Sequence, residues 1–349
     1  MNERNIGIDL LRLLAMFMIV LLHINLRAYL YIDFLSIYVF ESFSIVAVNC
    51  FVLISGFFLI KQQFRLKKLT SLIFEICFYT WVCFIAALII NIPMDIKMLI
   101  QGFFTISSGF HWFITCYIML YILFPFINKF IYSLSLKQKH IFAILTILLF
   151  CIWTTVPNIN RQSAIRGYSI LWLCVLYYFG AYLRLVFVEG DKKELFNKIS
   201  NFSGYGYIIF SLITVFFMFL LNLINKDVGI ALNYNSLFVF FAAICLFIFM
   251  YSLNIKNKSI NKIITFFAPA SFGVFLLSDN LFVIYYQKIY LTKDFFLQSF
   301  NMPLMVLICA VSIYIVCLLI SSIFHKRIFN FSDKYIYPII EKIYIKTLK

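Results

Sequence analysis

Apolar runs of about 20 residues, broken by short polar stretches, recur from one end of the 349-residue chain to the other. Within the runs Leu, Ile, Phe and Val follow one another, without the apolar–polar alternation that a membrane-spanning strand would carry. Lipid offers the backbone no hydrogen-bonding partner, so a spanning segment is either a helix or part of a closed barrel, and the pattern selects helices. About ten spans result, at roughly 6–29, 37–60, 69–92, 110–132, 139–156, 168–188, 204–225, 232–252, 262–287 and 302–325. The pattern predicts an all-α, polytopic integral membrane protein. No repeat relates the two halves, and no stretch between the spans is long enough for a second domain. Residues 1–349 therefore read as one transmembrane domain with a basic tail at about 326–349. The first span is too long, and too charged near its start, for a cleaved signal peptide.

Composition agrees: the chain is 64% hydrophobic and 12% charged, too little polar material to clothe a soluble core. Its formal charge of +15 would suggest nucleic acid in a soluble protein, but the distribution of the charge excludes that. With the N-terminus inside, the inner loops hold Lys61, Arg65, Lys67, Lys68, Lys137, Lys139, Lys192, Lys193, Lys256, Lys258 and Lys262. The tail adds Lys326, Arg327, Lys334, Lys342, Lys346 and Lys349. The outer loops keep Lys97, Arg161, Arg166, Lys226, Lys288 and Lys293, with Arg27 at an edge. That bias places both termini in the cytoplasm, which requires an even number of spans. The nine cysteines fall within or beside apolar runs, form no CxxC pair, and read as small hydrophobes rather than disulfides or a metal site.

Ionisable residues at membrane depth are costly and so are candidates for function. The first span contains Asp9, Arg12 and His23. Asp9 and Arg12 are within reach of one another across a helix surface. Arg12 and His23 are eleven residues apart, about three turns plus 20°, which puts them on one face roughly 16 Å apart along the axis. A polar crevice running down that face is the expectation. Two blander readings stand beside it: an interfacial Asp9–Arg12 pair with a snorkelling guanidinium, and a neutral His23 bonded across helices. An imidazole near its unperturbed pKa of about 6.5 suits a general base. The second span contains Glu41, Asn49 and Ser55-Gly56, and the third Glu75. His111-Trp112 opens the fourth, where Trp112 also fits an aromatic belt and His111 a solvated edge. Ser278, Asp279 and Asn280 interrupt the ninth, so Asp279 is expected against a partner or a cavity. His140 and His325, at inner span ends, suggest nothing special. The KQQFRLKK loop at 61–68 is the densest basic cluster, either a membrane anchor or a phosphate-binding edge.

Four segments together resemble one family, the acyltransferase-3 group of integral membrane O-acyltransferases. RNIGIDLLRLLAMFMIVLLHI at 4–24 resembles its opening signature, a basic residue, ten apolar positions and a histidine, with Arg12 and His23 on those positions and Asp9 on the preceding acid. CFVLISGFFLI at 50–60 resembles its Phe-rich run into Ser-Gly, and HWFITCYIMLYILFP at 111–125 its Trp-Phe segment with a Tyr-Leu-x-x-Pro ending. NYNSLFVFFAAICLFIF at 233–249 is similar to the branch that modifies surface polysaccharides. Two departures are visible. Arg65 is followed three places on by Lys68 where the family often has a second Arg, and Phe275-Leu276-Leu277-Ser278 stands where it often has Tyr-Leu-Ile-His. A second core histidine is thus expected to be absent.

The resemblance implies transfer of an acyl group, most often acetyl, from cytosolic acyl-CoA to a hydroxyl of a cell-surface or lipid-linked glycan, in a bacterial plasma membrane. Under it His23 serves as general base or acyl carrier, with Asp9 orienting Arg12 near the donor. Arg65, Lys67 and Lys68 would meet the donor's phosphates. His111, Trp112, Asn49 and Asp279 would lie on the acceptor side. No tightly bound cofactor or metal is expected; acyl-CoA is a substrate, and the bilayer and a glycan are the partners. A transporter or flippase for a glycan or lipid-linked precursor is the rival, although neither internal repeats nor matched Gly- or Pro-broken helices are visible. A structural subunit of a polysaccharide export machine is a second rival, and it has no need of an aligned Arg12 and His23.

Overall fold

The computed structural model describes residues 4–29, 34–108, 111–155, 165–291, 295 and 301–347. Among these the elements are helical throughout: α1 (Ile6–Tyr29), α2 (Phe34–Ser44), α3 (Ala47–Leu59), α4 (Leu66–Ile89), α5 (Ile96–Phe103), α6 (Trp112–Ser133) and α7 (Leu136–Ile147). They continue with α8 (Ile170–Tyr182), α9 (Lys193–Leu223), α10 (Leu237–Ser252), α11 (Lys258–Phe267), α12 (Ser271–Ser278), α13 (Leu281–Tyr290), α14 (Met302–Phe331) and α15 (Tyr337–Thr347). Short polar residues start many of them by accepting from an otherwise unpaired first-turn amide. Asp95 caps α5, Ser135 and Gln138 form a capping box at α7, and Ser169, Asn257 and Asn301 cap α8, α11 and α14.

Nine helical segments among the described residues are long and apolar enough to cross a membrane, against about ten expected, and α10 is a shorter apolar helix. The architecture is that of a multi-pass, all-α membrane protein. Several boundaries differ from the sequence expectation; the seventh span begins at Lys193 and not at 204. The ninth span runs from Lys258 to Ser278, not through 262–287, because the helix breaks at Asp279–Asn280 and restarts as α13. The last is continuous from Met302 to Lys346, so the basic tail beyond 326 prolongs a helix.

The spans sort into inner and outer sets. The segments containing α1, α2–α3 and α8 are mostly buried, whereas those of α7, α9 and α14 turn most of their surface outward. The outward residues are apolar, for example Leu145, Leu149, Phe216, Ile315 and Ile323, and form the belt that lipid tails would meet. Helix α1 packs on α2, α3, α10, α12 and α14, and its Asp9 and Asn25 are buried. Helices α3 and α8 cross closely through glycines. A Cβ on Gly56 would sit 2.0 Å from the Tyr177 carbonyl oxygen, and one on Gly180 would sit 2.2 Å from that of Leu53. Small residues allow such backbone approach in lipid, where association rests on packing and hydrogen bonds.

Candidate active site

The break between α12 and α13 presents the first functional side chain. Asn280 satisfies both broken ends: its carboxamide oxygen accepts from the Val283 amide at 3.0 Å, while its amide nitrogen donates to the carbonyls of Leu276, at 3.3 Å, and Leu277. A discontinuous helix is tolerated at this depth when its backbone groups are re-satisfied in this way. The interruption leaves Asp279, at the C-terminal end of α12, beside α1 and the start of α6. Its two carboxylate oxygens lie against two histidines. His23 Nδ1 is 3.5 Å from Oδ1, and His111 Nδ1 is 3.4 Å from Oδ2. One turn before Asp279, the Phe275 ring packs on both imidazoles, with centroid separations of 6.5 Å to His23 and 5.4 Å to His111. His111, buried, immediately precedes α6, and the neighbouring turn is tied down by the Thr115 hydroxyl donating to the Ile106 carbonyl at 2.6 Å. A second core histidine is therefore present after all. It comes from the start of α6, not from position 278, where a buried serine stands.

His23, His111 and Asp279 line a cavity of about 490 Å³, near the outer end of α1 by the charge bias. Trp112, Tyr168 and Tyr234 also line it and form an aromatic cluster: ring centroids are 4.7 Å apart for Trp112–Tyr168, 5.6 Å for Trp112–Tyr234 and 4.8 Å for Tyr168–Tyr234. Asn49 is not on this cavity's lining. It sits behind it, where its amide donates to the Tyr234 carbonyl at 2.7 Å and its oxygen accepts from the Trp172 indole at 3.2 Å. Burial above all, then the nearby Tyr168, Glu41 and Asp279, holds the Tyr234 phenol well above the usual tyrosine range, so it remains a neutral donor.

A second cavity, of about 460 Å³, opens at the other end of α1 and is lined by Arg4, Asp9, Arg12, Lys61, Gln62 and Arg184, among others. Asp9 is buried and pairs with Arg12 Nη1 at 2.8 Å and with Arg4 Nε. The Arg12 guanidinium lies 5.9 Å from the Phe58 ring centroid. Arg184, which the sequence reading overlooked, is buried in the last turns of its span. It donates to Glu189 at 2.8 Å and to the Phe57 carbonyl at 3.1 Å, while Lys61 reaches the other Glu189 oxygen at 2.7 Å. Burial raises the Glu189 carboxyl, but the hydrogen bonds and charges of Lys61 and Arg184 outweigh it and hold the group below its usual range. The single crevice expected from Arg12 and His23 is thus two cavities at the two ends of one helix. Between them Tyr117 stacks on Phe113 of the outer cavity at 5.6 Å, shares a 3.0 Å hydrogen bond with Ser55, and lies within electrostatic reach of Arg12.

Of the basic loop, Lys61 and Gln62 line the inner cavity, and Arg65, Lys67 and Lys68 do not. Lys67 pairs with Asp333 at 2.9 Å and Lys68 donates to Gln62 at 3.1 Å. His140 bonds the Tyr182 hydroxyl and His325 pairs with Glu75, both away from the two cavities. What sequence reasoning missed has a faint signal: Arg184 is a lone cation in LRLVFV at 183–188, legible as an intramembrane charge.

A paired acid and two imidazoles in a membrane-embedded cavity, with a cationic cavity at the far end of the same helix, is where comparison with known proteins becomes decisive. The family model described as an acyltransferase domain, acyltransferase-3, matches residues 5–322. The chain belongs to the acyltransferase-3 family. It is a membrane acyltransferase, and the match takes in α1 and, Arg4 apart, the lining of both cavities, through most of α14. Membership decides between enzyme and transporter in favour of the enzyme. Neither a curated protein nor a solved structure matches the chain.

Proposed function

We propose that this acyltransferase moves an acyl group, most simply acetyl, from acyl-CoA at the inner cavity to a hydroxyl of a cell-surface or lipid-linked polysaccharide in the outer cavity. The observation that carries the reading is the placing of His23 and His111 on the two oxygens of Asp279 in an aromatic-lined cavity. His23 accepts the proton of the acceptor hydroxyl as its oxygen attacks the thioester carbonyl. The carbon–sulfur bond then breaks, the CoA thiolate recovers that proton from the imidazolium, and the ester and CoA leave. Asp279 orients the imidazoles and balances the charge that His23 gains, as a carboxylate does for a general-base histidine elsewhere. His111 fixes the other carboxylate oxygen.

At the inner end Arg4, Arg12, Lys61 and Arg184 hold the phosphates of the donor, with Arg65, Lys67 and Lys68 adding to the positive field, since guanidinium groups match phosphate geometry. The pantetheine arm then extends past Tyr117 over the roughly 16 Å between Arg12 and His23. A donor on the cytosolic side agrees with the charge bias and with a bacterial plasma membrane, where such glycans are built. Aromatic rings at Trp112, Tyr168 and Tyr234 face the sugar.

The test is transfer of label from acetyl-CoA to a surface glycan preparation by purified protein. His23→Ala, inserted normally, loses about 10²–10⁴-fold of the rate. Transfer at the wild-type rate by that variant overturns the assignment. Label that stays on the protein without acceptor, and depends on His23, replaces direct transfer with an acyl-imidazole.

A further inference from the structure

Glu41 and Asp227 are the acidic side chains of the outer cavity that the transfer step does not use; Asp227 pairs with Arg166, and Glu41 is the one set within a span. It lies in α2, inside a span whose other residues are mostly apolar, where an ionisable group is costly unless something holds it. The Asn25 amide holds it, donating to Glu41 Oε1 at 3.0 Å and to the Ile37 carbonyl at 3.2 Å. Asn25 is itself fully buried, so its one amide ties the Glu41 carboxyl and the Ile37 carbonyl of α2 to α1. Glu41 and Asp279 both act electrostatically on the Tyr234 phenol, and Glu41 also on that of Tyr168. The aromatic cluster therefore shares one cavity with two carboxyl groups. The loops that carry it are pinned in place: the Tyr234 amide donates to the Arg166 carbonyl at 3.2 Å, and Gly167 takes a φ of 83° that a side chain would strain. At the same wall Asp227 holds the Arg166 guanidinium at 3.0 Å.

We propose that Glu41 and the Trp112–Tyr168–Tyr234 cluster form the acceptor subsite, and that it selects an uncharged or amino-bearing glycosyl unit and rejects acidic sugars. This rests on reading the outer cavity as the acceptor's side. Aromatic faces bind the apolar face of a sugar ring, and a carboxylate accepts hydrogen bonds from hydroxyl or ammonium groups. A uronic or sialic acid would bring its own carboxylate against Asp279, and against Glu41 wherever that carboxyl is ionised, in a site of low dielectric, where repulsion is strong. The volume, about 490 Å³, is that of a small-ligand pocket, so the subsite reads a short terminal unit and not a long stretch of polymer.

The test uses the full chain in lipid nanodiscs with three probes, a methyl hexoside, a methyl aminohexoside and a methyl hexuronide. Binding is read from tryptophan fluorescence, assigned by Trp112→Phe, and transfer from labelled acetyl-CoA. The hexoside and aminohexoside quench Trp112 fluorescence and the hexuronide binds at least tenfold more weakly. Glu41→Gln narrows that gap and Glu41→Asp restores it. Equal binding of all three by the wild-type protein overturns the inference, as does failure of every glycoside to bind, and neither result depends on how Glu41 variants fold. Selective binding with no label transferred to any probe leaves the subsite standing and removes the acyl-transfer reading. Transfer to the hexuronide as fast as to the hexoside does the reverse.

Discussion

Asp279 joins residues from three places in the chain: His23 in the first helix, His111 before the sixth, and its own position at a helix break. Because each imidazole addresses a different oxygen, removing the charge should affect both. Asp279→Asn keeps the shape and leaves the imidazolium that forms during transfer uncompensated. Its kcat falls about 10²–10⁴-fold with KM for acyl-CoA little changed, as steady-state kinetics of purified protein would show. His111→Gln, by contrast, should cost less than His23→Ala, because in the proposed mechanism His111 fixes the carboxylate and His23 takes the proton. Comparable losses in both variants would exchange or merge these roles. At this scale the sequence was informative where chemistry repeats along one helix. The pairing of Asp9 with Arg12, and the separation of Arg12 and His23 along one helix, could be read from spacing alone. The meeting of His111 with Asp279 could not, since it depends on how α1, α6 and α12 come together. Asn49 shows the converse: its place in an apolar span marked it as functional, yet it spends its carboxamide on Tyr234 and Trp172.

Helix pairs set the positions of these residues. The close crossing of α3 and α8 leaves no room at Gly180, where an added Cβ would lie 2.2 Å from the Leu53 carbonyl oxygen and 2.8 Å from the Phe57 amide. Gly180→Ala should therefore destabilise the fold by about 1–3 kcal/mol through overpacking, seen as a lower midpoint of thermal unfolding in detergent. Beside that crossing Glu189 bridges Lys61 and Arg184, which joins the loop after α3 to the end of the span begun by α8. Since its folded pKa lies below the unfolded value, the bridge contributes stability above the unfolded pKa of about 4.3 and loses it as pH falls through the folded value. Glu189→Gln should flatten the acid side of the stability profile, and a variant as acid-sensitive as the wild type would refute the assignment. Most spans were legible because an apolar run of helical length has few alternatives in lipid. The break at Asp279–Asn280 was harder to see. Its polar residues stand between apolar flanks, and that pattern alone does not tell a continuous helix with a buried acid from two helices capped by one asparagine.

Across the whole molecule, a cationic cavity and an imidazole–carboxylate cavity occupy opposite ends of α1, with Tyr117 and Ser55 between them. Tyr117→Phe removes the hydroxyl that Ser55 shares and keeps the ring, so it should change the rate of acyl passage more than donor affinity, measured as a kcat effect with KM for acyl-CoA held. Under the proposed function, donor and acceptor approach from different sides of the membrane. The most direct measurement is transfer in proteoliposomes of known orientation, with labelled acetyl-CoA confined to the side of Arg12 and a neutral glycan acceptor to the side of His23. Labelled glycan should form there, should fail to form when the two substrates are exchanged, and should disappear with His23→Ala. Equal product with both substrates together on the Arg12 side would contradict the account.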